Sequence, residues 1–328
     1  MLIIKVYKII ITWILTKLLL YLASQERRKL IVFYGDSMDY LIRGLLKDRK
    51  VRFLAVRNTD CINEAISIKK PSDVVIALLG RTLAVGSMMG YMNKEDDAKI
   101  SIRLQGTGKA ELVIVDANTK GEVRGYVKNP YVFLPLKSNG HLDVGRSIGK
   151  GMITVIKDLG LKEPFHSEIN IQSGEIGDDF SYYFAVSEQT PSVVGVGVLV
   201  DKDYSCKIGG GFIVQMLPDA TDDDYVFVDE VTRKVTSVTD LLLKYDNLEE
   251  LMTSLFGELE YVEELPIKYN CGCSKEKFMS GVATLEEEEI LDMIEKDKGA
   301  ELECQICGKK YNLTEEDLKE CIEIKKNK

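Results

Sequence analysis

The sequence predicts an α+β protein with three parts: an N-terminal domain of mixed sheet and helix, a helical linker, and a small C-terminal domain that gathers four cysteines. Strands cluster after early helices without strict alternation, which favours α+β over a doubly wound α/β fold. An acidic segment of helical period comes next, and two closely spaced cysteine pairs follow it. We place the three parts at 38–218, 219–264 and 265–328.

The composition is that of a globular protein. The 328 residues are 45% hydrophobic and 29% charged, so the core can be large without disulfides. The net charge of −9 argues against a nucleic-acid partner. No phosphate-loop pattern for a nucleotide occurs, since Gly209–Gly211 precedes "FIVQML" rather than Gly-Lys-Ser/Thr. We interpret these glycines as a bulge or a turn.

Residues 1–37 form an apolar, basic leader. Lys8 and Lys17 interrupt it, so no run reaches the roughly 20 apolar residues that a membrane span needs. One interpretation is that the true start is Met38, because Gly35-Asp36 encoded as GGA-GAY would contain a ribosome-binding site. The other is a membrane-associated leader. We favour the first and, because no clear signal-peptide cleavage site follows, expect a cytoplasmic protein; the nucleotide sequence tests the start.

Local patterns predict the elements of the N-terminal domain in order. The stretch "MDYLIRGLLKD" predicts a short helix, and Ser72 is placed to cap a long apolar helix over 73–92. A strand over 98–106 precedes a hairpin over 110–127 that turns at Asn118–Gly121. Further strands are expected within 151–160, 167–189 and 192–217, the last with a turn at Asp201–Asp203.

The linker reads as a helix of low intrinsic stability. Thr221 before three aspartates predicts where it begins. Its β-branched residues lower helix propensity, so the segment should depend on packing against something else, and removing that support should melt it. Apolar residues at 3-4-3-4 spacing define one face of this helix: Val228, Val231, Val235, Val238 and Leu242.

The cysteines of the last segment form a C-x-C and a C-x-x-C pair. Zinc takes four tetrahedral ligands, and two close pairs supply them. Both histidines lie more than 100 residues upstream, so a Cys₄ site is the natural choice, and permanent disulfides are disfavoured. The predicted ligands are Cys271, Cys273, Cys304 and Cys307. The other cysteines, Cys61, Cys206 and Cys321, are interpreted as residues without a role.

Metal binding and oxidation would compete for these thiols. A module this small has a thin core and would depend on its metal for stability. Structural zinc contributes roughly 10–16 kcal/mol of apparent binding energy, which becomes folding energy. The thiolate ligands are also the oxidisable form of cysteine. The sequence thus permits, without establishing, a redox-triggered local unfolding that extends into the linker.

From Met38 onward the chain resembles the heat shock protein 33 family, the redox-regulated bacterial chaperones. The resemblance covers nearly everything after the leader. It rests on stretches such as "LLGRTLAVGSMM" (78–89), "VDANTKGEVRGYV" (115–127), "SGEIGDDFSYY" (173–183), "CGCSKEKF" (271–278) and "CQICGKKY" (304–311).

The resemblance implies a function and a mechanism. One Zn²⁺ per chain would be held by the four cysteines in an inactive, reduced state. Oxidation during unfolding stress would pair Cys271 with Cys273 and Cys304 with Cys307, release zinc, and unfold the C-terminal domain and linker. The apolar surface so exposed would hold unfolding client proteins without ATP, and the active form would be a homodimer.

The residues considered without the family resemblance leave other functions open. A constitutive zinc ribbon would bind a protein partner without redox switching, and a dithiol oxidoreductase would use the C-x-x-C pair. Enzymatic use of paired carboxylates (Glu175, Asp178, Asp179) or of Cys206 as a nucleophile is the weakest alternative. The acids lie in an expected turn, and Cys206 has no identifiable partner. We therefore expect no enzymatic activity and no catalytic residue.

Overall fold

A computed structural model describes residues 39–93 and 95–326, so the prediction about residues 1–37 lies outside the described residues. The elements up to residue 216 are β1 (Tyr40–Leu46), β2 (Val51–Arg57), α1 (Thr59–Ser67), α2 (Asp73–Gly90), β3 (Lys99–Gly106), β4 (Leu112–Asn118), β5 (Glu122–Val127), α3 (Val144–Ile148), β6 (Gly151–Asp158), β7 (Phe165–Asn170), α4 (Ile176–Val186), β8 (Ser192–Val200) and β9 (Cys206–Met216). The later elements are α5 (Asp222–Thr232), α6 (Val238–Lys244), α7 (Leu248–Phe256), β10 (Leu259–Pro266), β11 (Lys268–Tyr269), α8 (Lys275–Val282), α9 (Glu287–Asp292) with a π turn over Met293–Asp297, β12 (Ala300–Glu303), β13 (Lys310–Leu313) and α10 (Glu315–Lys326).

Two sheets and the helices packed on them confirm the α+β class. The first sheet has five strands in the order β10-β1-β2-β9-β8, and the second has six in the order β11-β5-β4-β3-β6-β7. Every pair in them is antiparallel except β11 with β5. The long helix α2 packs on strands of both sheets, so it forms the centre of the main core.

Helix α2 is very apolar and is buried inside the protein. Among the described residues it is the one helix that is long and apolar enough to cross a membrane. In this structure, however, 89% of the segment Asp73–Gly90 is buried inside the protein. Ser72 holds the expected N-cap position but does not cap the helix. Its hydroxyl instead donates to the carbonyl of Val132 at 2.6 Å, which ties the loop 128–133 to the helix start.

Three predicted segments of the N-terminal domain have another conformation, in each case because tertiary packing decides it. Residues 40–46 form strand β1 rather than a helix, since β2 and β10 pair with it on both sides. Within 167–189, residues 176–186 form helix α4 and not a strand, with Phe180, Tyr183 and Phe184 buried. Gly209–Gly211 is neither bulge nor turn but part of β9, where β2 and β8 pair on either side of it.

The linker is helical, but it is three short helices rather than one. Thr221 begins α5 with a capping box that includes Asp224, as its position predicted. The 3-4-3-4 face is interrupted over 233–237, yet Val228 and Leu242 both reach the same core. That core fills the space between α5–α7 and the outer face of the first sheet, defined here as the face opposite α2.

The C-terminal module, residues 270–326, has a separate small core. Its apolar residues come from α8, α9, β13 and α10, with Ile290, Leu318 and Cys321 fully buried. Between the cysteine pairs the module also contains α9 and its π turn. The main packing partners of α8–α10 are one another and β13, whereas those of α5–α7 are the first sheet and one another.

Candidate metal centre

Two loops of the C-terminal module carry the four predicted ligands. Cys271 and Cys273 lie between β11 and α8, and Ser274 ends this loop by accepting the amide N–H of Lys277 as the N-cap of α8. Cys304 and Cys307 lie between β12 and β13. The amide of Gly308 donates to the carbonyl of Cys304 at 2.8 Å, which closes a tight knuckle.

Gly308 has a φ of +65°, the left-handed conformation that glycine adopts without a side-chain clash. The chain can therefore turn back into β13 directly after Cys307. The same conformation recurs in the other loop, where Gly272 separates its two cysteines with a φ of +57°. Both loops thus owe their tight curvature to a glycine beside a thiol.

The four Sγ atoms all lie within 4.8 Å of one another. Cys271 Sγ is 3.5 Å from Cys304 Sγ, and Cys273 Sγ is 3.3 Å from Cys307 Sγ. A tetrahedral zinc ion with Zn–S bonds of about 2.3 Å would separate its sulfurs by about 3.8 Å. A disulfide would bring two of them to about 2.0 Å, so these are free thiols in a cluster that fits a metal ion.

The thiols differ in how readily they ionise. Burial raises the pKa of the Cys271 thiol, and hydrogen bonds with Cys304 and Cys307 add to the rise. Burial also opposes ionisation of Cys273, but hydrogen bonds from Tyr311 and Cys307 outweigh it and lower its pKa to about 7. The Tyr311 hydroxyl lies 3.1 Å from Cys273 Sγ and also 3.1 Å from the Cys273 carbonyl oxygen.

The first thiol loop is attached to the edge of the second sheet. Strand β11 pairs with β5, and the amide of Asn270 extends the pairing by donating to the Val123 carbonyl at 3.0 Å. The guanidinium of Arg124, which is paired with Asp116 at 2.9 Å, donates to the carbonyl of Cys271. The C-x-C loop is therefore positioned by residues nearly 150 places away in sequence.

The second thiol loop contacts the main core and the residues that follow α1. Ile306 packs against the main core, and Lys69 Nζ lies 3.4 Å from Gln305 Oε1. The Ile68 side chain lies against the knuckle, 3.1 Å from where a Cβ on Gly308 would be. The cysteine centre thus lies where the C-terminal module meets α1 and β5.

The residues of the enzymatic alternative have structural partners. Glu175 accepts from Arg81 at 2.7 Å and Lys137 at 2.5 Å, and Asp178 is exposed in the first turn of α4. Asp179 is fully buried and accepts the amide N–H groups of two loop residues, Gln172 and Ser173. The acids therefore lie at a helix start rather than in the expected turn.

The cysteines outside the cluster are all buried. Burial raises the pKa of Cys206 to about 12 and also raises the pKa values of Cys61 and Cys321, which disfavours thiolates at neutral pH. Sequence reasoning missed Arg124 and Tyr311. Tyr311 lies four residues after the last cysteine of the centre, a weak local signal, and nothing in the sequence marks Arg124.

Fold and centre together define a class: an α+β protein whose C-terminal module gathers four thiols suited to a metal ion. The family model described as "Hsp33 protein" matches residues 39–314. This chain therefore belongs to the Hsp33 family, as the resemblance of its motifs indicated.

Named relatives and a solved structure agree with the family. The chain is 42% identical over 292 residues to the 33 kDa chaperonin of Caldanaerobacter subterraneus subsp. tengcongensis, covering 88% of this chain and 99% of that protein. It is 43% identical over 283 residues to the 33 kDa chaperonin of Bacillus subtilis, covering 86% and 97%. The crystal structure of the 33 kDa chaperonin from Thermotoga maritima superposes with a TM-score of 0.79 at 34% identity, covering 89% of this chain and 100% of that one.

Proposed function

We propose that this protein is a redox-regulated, ATP-independent holdase, a chaperone that keeps unfolding proteins from aggregating under oxidative stress. The reduced form, with one zinc ion held by Cys271, Cys273, Cys304 and Cys307, is inactive. From the family resemblance the proposal also takes a cytoplasmic location, a homodimeric active form, unfolding proteins as clients, and no nucleotide or nucleic-acid ligand.

One observation carries the proposal: the linker covers a large apolar face of the first sheet. Helices α5–α7 bury the outer-face side chains of β1, β2 and β9, among them Phe53, Phe212 and Val214. If the linker unfolds, this face is open to water and can take up the apolar segments of an unfolding client. Burial of that client surface would supply the binding energy without ATP.

The linker is built to unfold locally. Helices of 11, 7 and 9 residues are too short to be stable in isolation, so they depend on the sheet. Polar groups of the sheet supplement the apolar contacts. Arg57 Nη2 donates to the carbonyls of Leu242 and Tyr245, both at 3.0 Å, and the Tyr40 hydroxyl accepts the Leu248 amide at 2.8 Å.

Bound zinc would cross-link the two thiol loops and so stabilise a module whose own core is small. Hydrogen peroxide would oxidise one thiolate of a pair to a sulfenic acid, and the hydroxide released would take up a proton from solvent to become water. The second thiol of the pair would then attack that sulfur, form the disulfide and release a second water. Each disulfide so formed takes two electrons from two thiols and removes two metal ligands.

The oxidised pairs in this proposal are Cys271–Cys273 and Cys304–Cys307. In the reduced structure the thiols also approach each other across the loops, with Sγ separations of 3.5 Å from Cys271 to Cys304 and 3.3 Å from Cys273 to Cys307. The proposed pairing therefore follows from the family resemblance and from sequence proximity. Tryptic mapping of the oxidised protein separates the two patterns, because cross-loop disulfides would link distant peptides.

The test is light scattering from a heat-unfolding client in the presence of the full chain. Zinc-loaded reduced protein is compared with protein pretreated with peroxide at raised temperature, and zinc release is followed with a chelating dye. Suppression of aggregation by the oxidised form alone, with zinc release, is the expected result.

The other outcomes point to the alternatives. Suppression by both forms would mean a chaperone whose metal is only structural. Suppression by neither, with zinc retained in peroxide, would favour a constitutive zinc-ribbon interaction module. Turnover of a small disulfide by the reduced protein would favour a dithiol oxidoreductase.

A further inference from the structure

The linker and the C-terminal module share one covalent connection, the strand segment 259–269. Its first part, β10, belongs to the first sheet through β1, and its last part, β11, belongs to the second sheet through β5. The main packing partners of the two regions do not overlap. The covalent path from the thiols to the linker therefore passes through the point where β10 ends and β11 begins, which we call the joint (Leu265–Lys268).

Tyr91, at the end of α2, holds the joint. Its hydroxyl donates to the carbonyl of Pro266 at 2.6 Å, and the residue is only 7% exposed. Burial raises its pKa to about 12, so the hydroxyl remains a donor at neutral pH. Ile267, the next residue along, is buried in the main core.

Arg43 ties the same joint to the preceding strand. Its Nε pairs with Glu263 of β10 at 2.8 Å, and its Nη1 donates to the main-chain carbonyl of Tyr91 at 3.1 Å. One side chain of β1 thus contacts both β10 and the residue that holds Pro266. The contacts of Arg43 and Tyr91 therefore hold the end of β10, and neither contact includes a thiol or a linker helix.

The β4–β5 turn closes the other side of the joint. Gly121 has a φ of +75°, and a Cβ there would lie 2.1 Å from the Pro266 carbonyl oxygen and 2.3 Å from the Tyr91 hydroxyl. Its own carbonyl accepts the amide of Lys268 at 2.9 Å. Only glycine leaves room for this arrangement, so the Tyr91–Pro266 contact is enclosed by main chain.

We propose that Tyr91 is a positioning residue that sets how readily loss of the metal centre propagates into the linker. While the Tyr91–Pro266 hydrogen bond holds, unfolding of the C-terminal module frees β11 but leaves β10 paired with β1 and the linker in place. Heat that breaks this contact lets β10 and then α7 detach. In the proposed function oxidation acts together with unfolding stress, and the joint is the point at which the thermal stress would act. This inference rests on the proposed function for its biological meaning but not for its measurement.

The experiment compares the full-length wild type with Tyr91→Phe, which removes only the hydroxyl. Zinc is removed by a chelator under reducing conditions, so that neither peroxide chemistry nor client binding enters the measurement. Hydrogen exchange with mass spectrometry then reports opening of 222–256, and the chelating dye reports the rate of zinc release. Tyr131→Phe is the matched control, because its hydroxyl also donates to a main-chain carbonyl, that of Lys69 at 3.0 Å, far from the joint in sequence.

We expect Tyr91→Phe to raise the opening constant of the linker after zinc removal on the order of tenfold, the effect of one lost hydrogen bond. Its rate of zinc release and the exchange of strands β3, β4 and β6 should match wild type and Tyr131→Phe. Arg43→Gln, a surface change that keeps the core intact, should act in the same direction. A general loss of stability would instead raise exchange throughout.

Two results would overturn the inference. One is linker opening in Tyr91→Phe and Arg43→Gln equal to that of the wild type. The other is zinc release accelerated as much as linker opening, since the hydroxyl would then act on the metal centre itself. Failure of the proposed function shows separately, as a wild-type protein that does not suppress client aggregation after oxidation whatever its linker exchange.

Discussion

Cys271 Sγ lies 3.5 Å from Cys304 Sγ although the two residues belong to different loops and are 33 positions apart. Neither loop is joined to the other by strand pairing, because β12 and β13 pair only with each other. Their proximity therefore depends on the module's small core, on the attachment of each loop to the rest of the fold, and on whatever ion the thiols bind. A metal at this point would be the main cross-link of the module.

Cys304→Ser should consequently lose zinc and unfold the C-terminal module while the two sheets stay folded. Serine is a poor zinc ligand, and three thiolates leave the tetrahedron incomplete. Zinc content per chain and hydrogen exchange of 275–326 measure both effects. Cys321→Ala is the control, since Cys321 is buried in the same module but outside the cluster. Stoichiometric zinc and full protection in Cys304→Ser would contradict the assignment of this residue as a ligand.

Arg57 should be a main polar support of the linker. Its Nη2 donates to two carbonyls at the end of α6, those of Leu242 and Tyr245, and Arg57→Met would leave both without that donor. We expect the linker to lose about 1–3 kcal/mol of stability, the cost of unpaired polar groups at a partly buried site. After oxidation, the variant should then suppress client aggregation at a lower temperature than the oxidised wild type does.

Arg52→Met provides the matched control for that experiment. Arg52 lies on the same strand, but its Nε donates to Gln215 Oε1 within the first sheet at 2.9 Å. Hydrogen exchange of 238–256 should rise in Arg57→Met and not in Arg52→Met. An equal rise in both variants would mean that the sheet, rather than the linker contact, had been weakened.

The sequence was sufficient where the signal is local. The hairpin turn at Asn118–Gly121, the capping box at Thr221 and the two cysteine pairs each lie within a few residues, and the structure places them as expected. The apolar residues of 73–90 likewise indicate a buried helix whatever surrounds them. Propensity and pattern are enough to predict such features without knowledge of distant partners.

The sequence did not predict the features that depend on residues distant in the chain. Residues 41, 42, 45 and 46 are apolar at spacings that also suit a helix, and only pairing with β2 and β10 makes them a strand. Arg57, Tyr91 and Arg124 act on carbonyls 147 to 188 residues away. A main-chain carbonyl has no sequence signature, so contacts of this kind cannot be identified without the fold.

Glu122 should make attachment of the first thiol loop pH-dependent. Hydrogen bonds from Asn118 and Asn270, aided by Lys268, lower the pKa of this carboxyl to about 2. A carboxyl whose folded-state pKa is depressed stabilises the fold above its unfolded pKa of about 4.3 and loses that contribution as the pH falls toward the folded value. The stabilisation is therefore complete at neutral pH and is lost between about pH 4.3 and pH 2.

Glu122→Gln should remove this dependence. The difference in thermal unfolding midpoint between wild type and variant is expected to be largest at neutral pH and to shrink as the pH falls below about 4.3. Taking the difference cancels protonation of the thiolates, which both proteins share. Glu111→Gln, which loses only the exposed ion pair with Lys128, is the control. A difference that stays constant down to pH 2 would exclude Glu122 as the titrating group.

The strained backbone at Tyr261 should make β10 easier to detach from β1. Tyr261 has a φ of +53°, in the left-handed region, and its side chain is 81% exposed. The register shifts here, because Arg43 pairs with Glu263 but Leu45 pairs with Glu260, so Tyr261 and Val262 form a bulge opposite Gly44. A tyrosine in this conformation costs about 1–2 kcal/mol, and asparagine tolerates it better. Tyr261→Asn should therefore stabilise the closed edge strand by about 1 kcal/mol and raise the temperature at which the oxidised protein becomes active.

Tyr204→Asn distinguishes strain in β10 from a general benefit of asparagine. Tyr204 also has a left-handed φ, +64°, and an exposed side chain, but it lies in the β8–β9 turn. Relieving the backbone strain at Tyr204 can stabilise the first sheet without changing how β10 detaches. After zinc removal, exchange of 259–266 should therefore slow in Tyr261→Asn and match wild type in Tyr204→Asn. If exchange of 259–266 were unchanged or faster in Tyr261→Asn, the bulge would be a relaxed part of the strand, and release of β10 would depend on the joint at Pro266 alone.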